Sequence, residues 1–224
     1  MLDILYEDNH LLAINKPSGM PSQGDQTGDS NAFDLGKAYL KEKYQKPGKV
    51  YLGLLHRIDR PTAGVLLFAR TSKAAERLSR QFQQRKILKT YWAITTKRPP
   101  RSSDELVHYL KKLPDRNIVR AYRTPKEGSQ EAKLSYELLE VAKGRYLIEV
   151  APMTGRRHQI RVQLSQIGCP IAGDVKYGAK DFLPGKRAIA LLARELEFTH
   201  PTTKETVILR APVPHASIWN MFNS

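Results

Sequence analysis

The stretch His56-Arg57-Ile58-Asp59-Arg60-Pro61-Thr62-Ala63-Gly64 carries the densest chemistry in the 224-residue chain. Ionisable side chains and a Pro–Gly turn are wedged between the apolar pair Leu54-Leu55 and the apolar run Val65-Leu66-Leu67-Phe68-Ala69. A carboxylate entering a buried strand must be paired or hydrogen-bonded, because an unpaired buried charge is costly. Two uses of Asp59 meet that demand. It is a structural group, satisfying turn amides or pairing with Arg57 or Arg60, or it is a reactive carboxylate.

Other chemistries lack their residues. No Gly-x-x-x-x-Gly-Lys-[Ser/Thr] loop, no Gly-x-Gly-x-x-Gly after a strand and no Gly-x-Ser-x-Gly elbow occurs. The six His, at 10, 56, 108, 158, 200 and 215, are scattered, and Cys169 is the single Cys. Neither a zinc site nor an intramolecular disulfide is expected. The chemistry should rest on Asp/Glu, Tyr, Arg or His, with no metal and no cofactor.

Charge indicates the partner. Lys and Arg number 37 against 22 Asp and Glu, a formal net charge of +15. Such a field attracts polyanions through counterion release, so nucleic acid is the expected ligand. The longest apolar runs fall far short of the about 20 residues that cross a bilayer. The opening Met1-Leu2-Asp3-Ile4-Leu5-Tyr6-Glu7-Asp8 is acidic and lacks the basic start of a secretion signal. A cytoplasmic protein with no membrane partner is expected, and nothing demands more than a monomer.

The segment 56–64 resembles the His-Arg-Leu-Asp-x-x-Thr-Ser-Gly motif of RNA pseudouridine synthases of the ribosomal large-subunit type. Five further blocks resemble that family in the same order: Asn15-Lys16-Pro17-Ser18-Gly19, Lys89-Thr90-Tyr91-Trp92-Ala93, Thr154-Gly155-Arg156-Arg157-His158-Gln159-Ile160-Arg161, Pro170-Ile171-Ala172-Gly173-Asp174 and Phe198-Thr199-His200-Pro201. Together they cover nearly the whole chain. The resemblance implies cofactor-free isomerisation of uridine to pseudouridine in ribosomal RNA, transfer RNA or both. It also implies a short form, without the extra N-terminal RNA-binding domain of longer members.

Carried over residue by residue, the resemblance makes Asp59 the catalytic carboxylate, as nucleophile at C1′, nucleophile on the base, or base at the 2′ position. Arg161 becomes its basic partner. Tyr91 becomes the residue that stacks on the target uracil and helps remove the C5 proton. Arg57 becomes the side chain that fills the gap left by the flipped nucleotide. Base flipping is physically required, since C1′ and C5 of a stacked uridine cannot both be worked on inside the stack. His56 is expected to hold the loop or bind substrate, and Lys16 and Arg157 to contact phosphates. Ala63, Gln163 and Leu192 depart from the family's usual Ser, His and His.

The elements that must position these residues follow from patterning. Strands are expected at 2–6, 10–15, 65–69, 90–96, 132–139, 146–150, 188–198 and 206–210. Helices are expected at 32–44 behind Asn31, at 72–84 behind Thr71 or Ser72 with Ala75, Leu78 and Phe82 inward, and at 154–167 behind Thr154. A short helix is expected at 216–222. In the third helix Ile160, Leu164 and Ile167 form the buried face, Arg157 and Arg161 line another, and Gln163 lies on the polar surface. Segment 98–128 has weak periodicity and reads as an insertion, a small lobe or a mobile hairpin that could touch RNA away from the active site.

Strands outnumber helices and short turns join many of them. The expectation is an α+β fold, a mostly antiparallel, bent sheet flanked by helices and loops, forming one catalytic domain over 1–224. The leading functional reading is an RNA pseudouridine synthase. The alternative is a non-catalytic RNA-binding protein that retains the fold, against which Asp59, Tyr91 and Arg161 together argue. A nucleic-acid hydrolase would need several metal-binding carboxylates, and no such cluster surrounds Asp59.

Overall fold

Alternating apolar residues, two good helix caps and a series of glycine turns account for most of the architecture. The computed structural model describes residues 2–114, 117–184 and 188–222. In chain order the elements are β1 (Ile4–Glu7), β2 (Leu11–Lys16), α1 (Ala32–Lys43), β3 (Gly53–Leu54), β4 (Ala63–Ala69), α2 (Ser72–Gln83), β5 (Leu88–Thr95), β6 (Ser103–Lys112), β7 (Val119–Tyr122), β8 (Gln130–Ala142), β9 (Arg145–Pro152), α3 (Gln159–Gln166), a 3-10 turn (Val175–Tyr177), β10 (Leu191–Thr199) and β11 (Thr206–Arg210). The chain packs as two compact units, residues 1–89 with 193–212, and residues 90–192 with 213–224. The fold is α+β.

In the first unit β2 lies between β1 and β4, antiparallel to both, and β11 pairs antiparallel with β10. The apolar run that follows the Asp59 segment lies on a strand enclosed on both faces: Val65 to Ala69 are all nearly or fully buried. The two helices begin where their caps predict. Asn31 accepts from the Asp34 amide at 3.0 Å, and Thr71 from the Ala74 amide at 3.2 Å. Helix α1 closes over Leu12, Ile14, Leu66 and Phe68 through Ala32 and Leu40. Helix α2 buries Ala74 with the expected Leu78, and the expected Ala75 is half-buried beside Gly53.

In the second unit the strand order is β5-β9-β8-β6-β7, antiparallel at each pairing. Lys143 and Gly144, both with positive φ, make the two-residue turn between β8 and β9. Segment 98–128 is not a separate lobe. It supplies β6 and β7, whose inward residues Leu110, Val119 and Ala121 pack with Ala132, Val162 and Tyr177. No α-helix forms at 216–222. That stretch is a turn, with Ala216 accepting from the Trp219 amide, that buries Ile218, Trp219 and Phe222.

One glycine decides how closely β10 lies behind the Asp59 segment. Gly64 has φ +114°, and a Cβ there would stand 2.3 Å from the Ala193 carbonyl oxygen. Neither a left-handed backbone nor that contact suits an L side chain. Gly64→Ala should therefore lower unfolding free energy by more than about 3 kcal/mol, read from urea denaturation of the two proteins.

Candidate functional site

Asp59 opens a turn closed by the Thr62 amide, which donates to the Asp59 carbonyl at 2.9 Å. The earlier motif loop, residues 15–22, is stitched to this turn. Gly19 N donates to Arg60 O at 2.8 Å, and Arg60 Nε returns a bond to Gly19 O at 2.9 Å. Ser18 Oγ donates to Pro61 O at 2.6 Å, and Ser22 Oγ to Ile58 O at 2.8 Å. The outer end of Arg60 pairs with Asp25 and Asp29.

Lys16 is fully buried at the centre of this seam. Its ammonium donates to Met20 O at 2.7 Å, Pro17 O at 3.0 Å and Arg60 O at 3.2 Å. Three donors meet three carbonyls, so Lys16 offers nothing to an outside phosphate, contrary to the expected phosphate contact. Burial pushes its pKa down to about 7, against the pull of the Asp59 carboxylate, which favours the charged form.

His56 is half-buried and also braces the segment. Its Nε2 accepts from the Leu67 amide at 3.1 Å, which places the ring proton on Nδ1. The ring stacks on Phe82 at 5.1 Å. Burial, aided by the nearby Lys89 charge, pushes its pKa down to about 4. Arg57 is exposed, and its guanidinium has no hydrogen bond or ion pair among the described residues. That differs from the alternative in which it pairs with a neighbouring carboxylate.

In the second unit Tyr91 stands opposite Val150 in the β5–β9 ladder and is half-buried. Helix α3 begins at Gln159, not after Thr154, because His158 adopts a left-handed conformation at φ 54°. Thr154 serves the preceding turn: its hydroxyl accepts from the Lys133 amide at 2.9 Å and donates to Gln159 Oε1 at 2.7 Å. Arg157 therefore lies outside the helix. It is exposed and donates to Asn117 Oδ1.

Helix α3 is enclosed, with every residue from Gln159 to Leu164 buried. Gln163 is not on a polar surface. It has no exposure, and its Nε2 faces Leu106 O and His108 Nδ1 at 3.1 Å and Ala132 O at 3.2 Å. Arg161 is 5% exposed and Asp174 is 1% exposed. Arg161 Nε donates to Asp174 Oδ2 at 2.7 Å and Nη2 to Oδ1 at 2.8 Å, a bidentate pair. The guanidinium also lies 5.0 Å from the Tyr177 ring centre. Tyr177 Oη accepts from the Val119 amide at 3.0 Å and meets His158 Nδ1 at 2.7 Å.

Asp174, Tyr177 and His158 were not singled out as site residues by sequence reasoning. The available signal was the Pro170–Asp174 block, whose carboxylate follows an apolar run much as Asp59 precedes one. Among the described residues no group of three His, Cys, Asp or Glu converges to hold a metal ion.

Two measurements check this account. Asp174→Asn takes the bidentate carboxylate away from the buried Arg161 guanidinium and should lower stability by about 1.5–3 kcal/mol in chemical denaturation. Because His56 binds its proton less readily folded than unfolded, its contribution to stability is full above about pH 6.5 and is lost as pH falls towards 4. Over that window His56→Gln, which can still accept through Oε1, should show a shallower fall in stability than the wild type.

Residues 10–166 match the family model for RNA pseudouridylate synthase. The chain is 31% identical over 212 residues to ribosomal large subunit pseudouridine synthase C of Rickettsia prowazekii, covering 94% of this chain and 68% of that protein. It is 34% identical over 228 residues to tRNA pseudouridine synthase C of Haemophilus ducreyi, covering 94% and 90%. Among solved structures, human RNA pseudouridylate synthase domain containing 4 superposes with a TM-score of 0.79 at 27% identity, covering 95% of this chain and 89% of that one. The chain thus belongs to the RNA pseudouridylate synthase family and is an isomerase acting on uridine in RNA.

Proposed function

We propose that this protein converts specific uridines of ribosomal RNA, transfer RNA or both to pseudouridine, with Asp59 as the essential carboxylate. The reaction breaks the C1′–N1 bond, turns the base, joins C1′ to C5 and releases the C5 proton while N1 gains one. Substrate and product are isomers, so the atoms and electrons balance without a redox partner or cofactor. The observation that carries this reading is the seam around Asp59: Lys16, Ser18, Gly19 and Ser22 fix the backbone from Ile58 to Pro61. A carboxylate on a backbone held this tightly can act with little reorganisation.

In this reading Asp59 supplies the reacting carboxylate, with Arg161 as the basic partner that the family resemblance gives it. Tyr91 stacks on the uracil and assists removal of the C5 proton. Arg57 fills the space left by the flipped nucleotide, a use suited to an exposed guanidinium plane. Arg157 contacts phosphate. His56 and Lys16 act on the loop rather than on RNA.

The test is tritium release from C5-tritiated uridine in unmodified bulk ribosomal and transfer RNA. Wild type should release tritium, and Asp59→Asn should release none while binding RNA within a few-fold of wild type. Release by the variant would remove Asp59 from the chemistry. No release by either would leave a protein that binds RNA without modifying it.

A further inference from the structure

The outward face of the β6–β7 hairpin carries a two-by-two array. Tyr109 stands opposite Tyr122, and Lys111 stands opposite Arg120. The inward residues of the same strands are fixed by the core, since Leu110, Val119 and Ala121 pack with Val162 and Tyr177. Strand alternation therefore forces the four outward. Arg120 is exposed, and Tyr109, Lys111 and Tyr122 are half-buried.

No partner among the described residues accounts for this arrangement. Like charges directly opposite on neighbouring strands are destabilising. None of the four side chains makes a hydrogen bond or an ion pair among the described residues. The carboxylate in register on the next strand, Glu131 opposite Tyr109, pairs with neither cation. The hairpin is also held in place. Its tip is closed by Leu113 N donating to Ile118 O at 3.0 Å, and Asn117 takes bonds from Arg157 and Lys176.

We propose that this face is a docking surface for RNA, separate from the catalytic residues, with Lys111 and Arg120 on phosphates and Tyr109 and Tyr122 against bases. Paired cations beside paired aromatics match a polyanion that carries stackable rings. The repulsion between Lys111 and Arg120 is relieved once a phosphate stands between them. A rigid strand pair presents the rings with little conformational entropy left to lose. The inference rests on the reading that the protein acts on RNA.

The probe is unmodified transfer RNA transcript and unmodified ribosomal RNA, with binding titrated from low to moderate salt and tritium release followed in parallel. Lys111→Ala/Arg120→Ala should weaken binding tenfold or more and reduce the salt slope by between about one and two. It should raise KM and leave kcat near wild type. Its thermal midpoint should match or exceed wild type, because a repulsive pair is gone. Lys41→Ala/Lys46→Ala on and just after α1 removes equal charge and should bind within about twofold of wild type. Tyr109→Phe/Tyr122→Phe should keep the affinity that Tyr109→Ala/Tyr122→Ala loses. If Lys111→Ala/Arg120→Ala binds RNA as the control pair does, the inference is overturned, and the face serves another partner such as a protein. Wild type without tritium release would instead defeat the proposed activity, a result that does not depend on the hairpin.

Discussion

The Lys16 ammonium, with no exposure to solvent, is the constraint around which the Asp59 segment is arranged. Removing a charge from water is costly, and the cost is offset only when every donor finds an acceptor. Carbonyls of Pro17, Met20 and Arg60 supply those acceptors. Two come from its own loop and one from the residue after Asp59. The ammonium can be satisfied only when the two segments are in register, so its burial fixes the position of the turn. Gly64 serves the same end from behind, because the backbone of β10 occupies the volume that a Cβ would need.

The second unit uses a different cation for a different geometry. Arg161 is buried against Asp174, which accepts two bonds from its planar fork, and its guanidinium lies over the Tyr177 ring. An ammonium, a single point of charge, could not offer Asp174 the two parallel bonds that this fork donates. Tyr177 is fixed in turn by the Val119 amide and His158. The left-handed conformation of His158 that shortens α3 thus has a structural counterpart: its ring lies against the tyrosine that supports Arg161.

Buried and exposed cations divide the work. Lys16 and Arg161 are enclosed and organise backbone and side chains. Arg57, Arg120 and Arg157 face solvent, where a net charge of +15 is useful to a protein whose family acts on RNA. The β6–β7 hairpin joins the two sets. Its inward face packs in one core with Val162 of α3, and its outward face displays charge.

Local sequence determined the caps at Asn31 and Thr71, the Lys143-Gly144 turn, the buried run Val65–Ala69 and the segment carrying Asp59. Each depends on neighbours a few residues away, so its pattern survives in one dimension. The tertiary structure alone decided that Lys16 is enclosed, that Arg161 has Asp174 as a bidentate partner, that Gln163 is buried among backbone carbonyls, and that 98–128 forms two strands of a sheet. It also turned 216–222 into a buried turn instead of a helix. The Arg60 carbonyl at Lys16, the Asp174 carboxylate at Arg161 and the Leu106 and Ala132 carbonyls at Gln163 each lie more than ten residues away in the chain. Periodicity reports which side of an element prefers water. It does not report a distant carbonyl or carboxylate that makes burial of a polar group favourable.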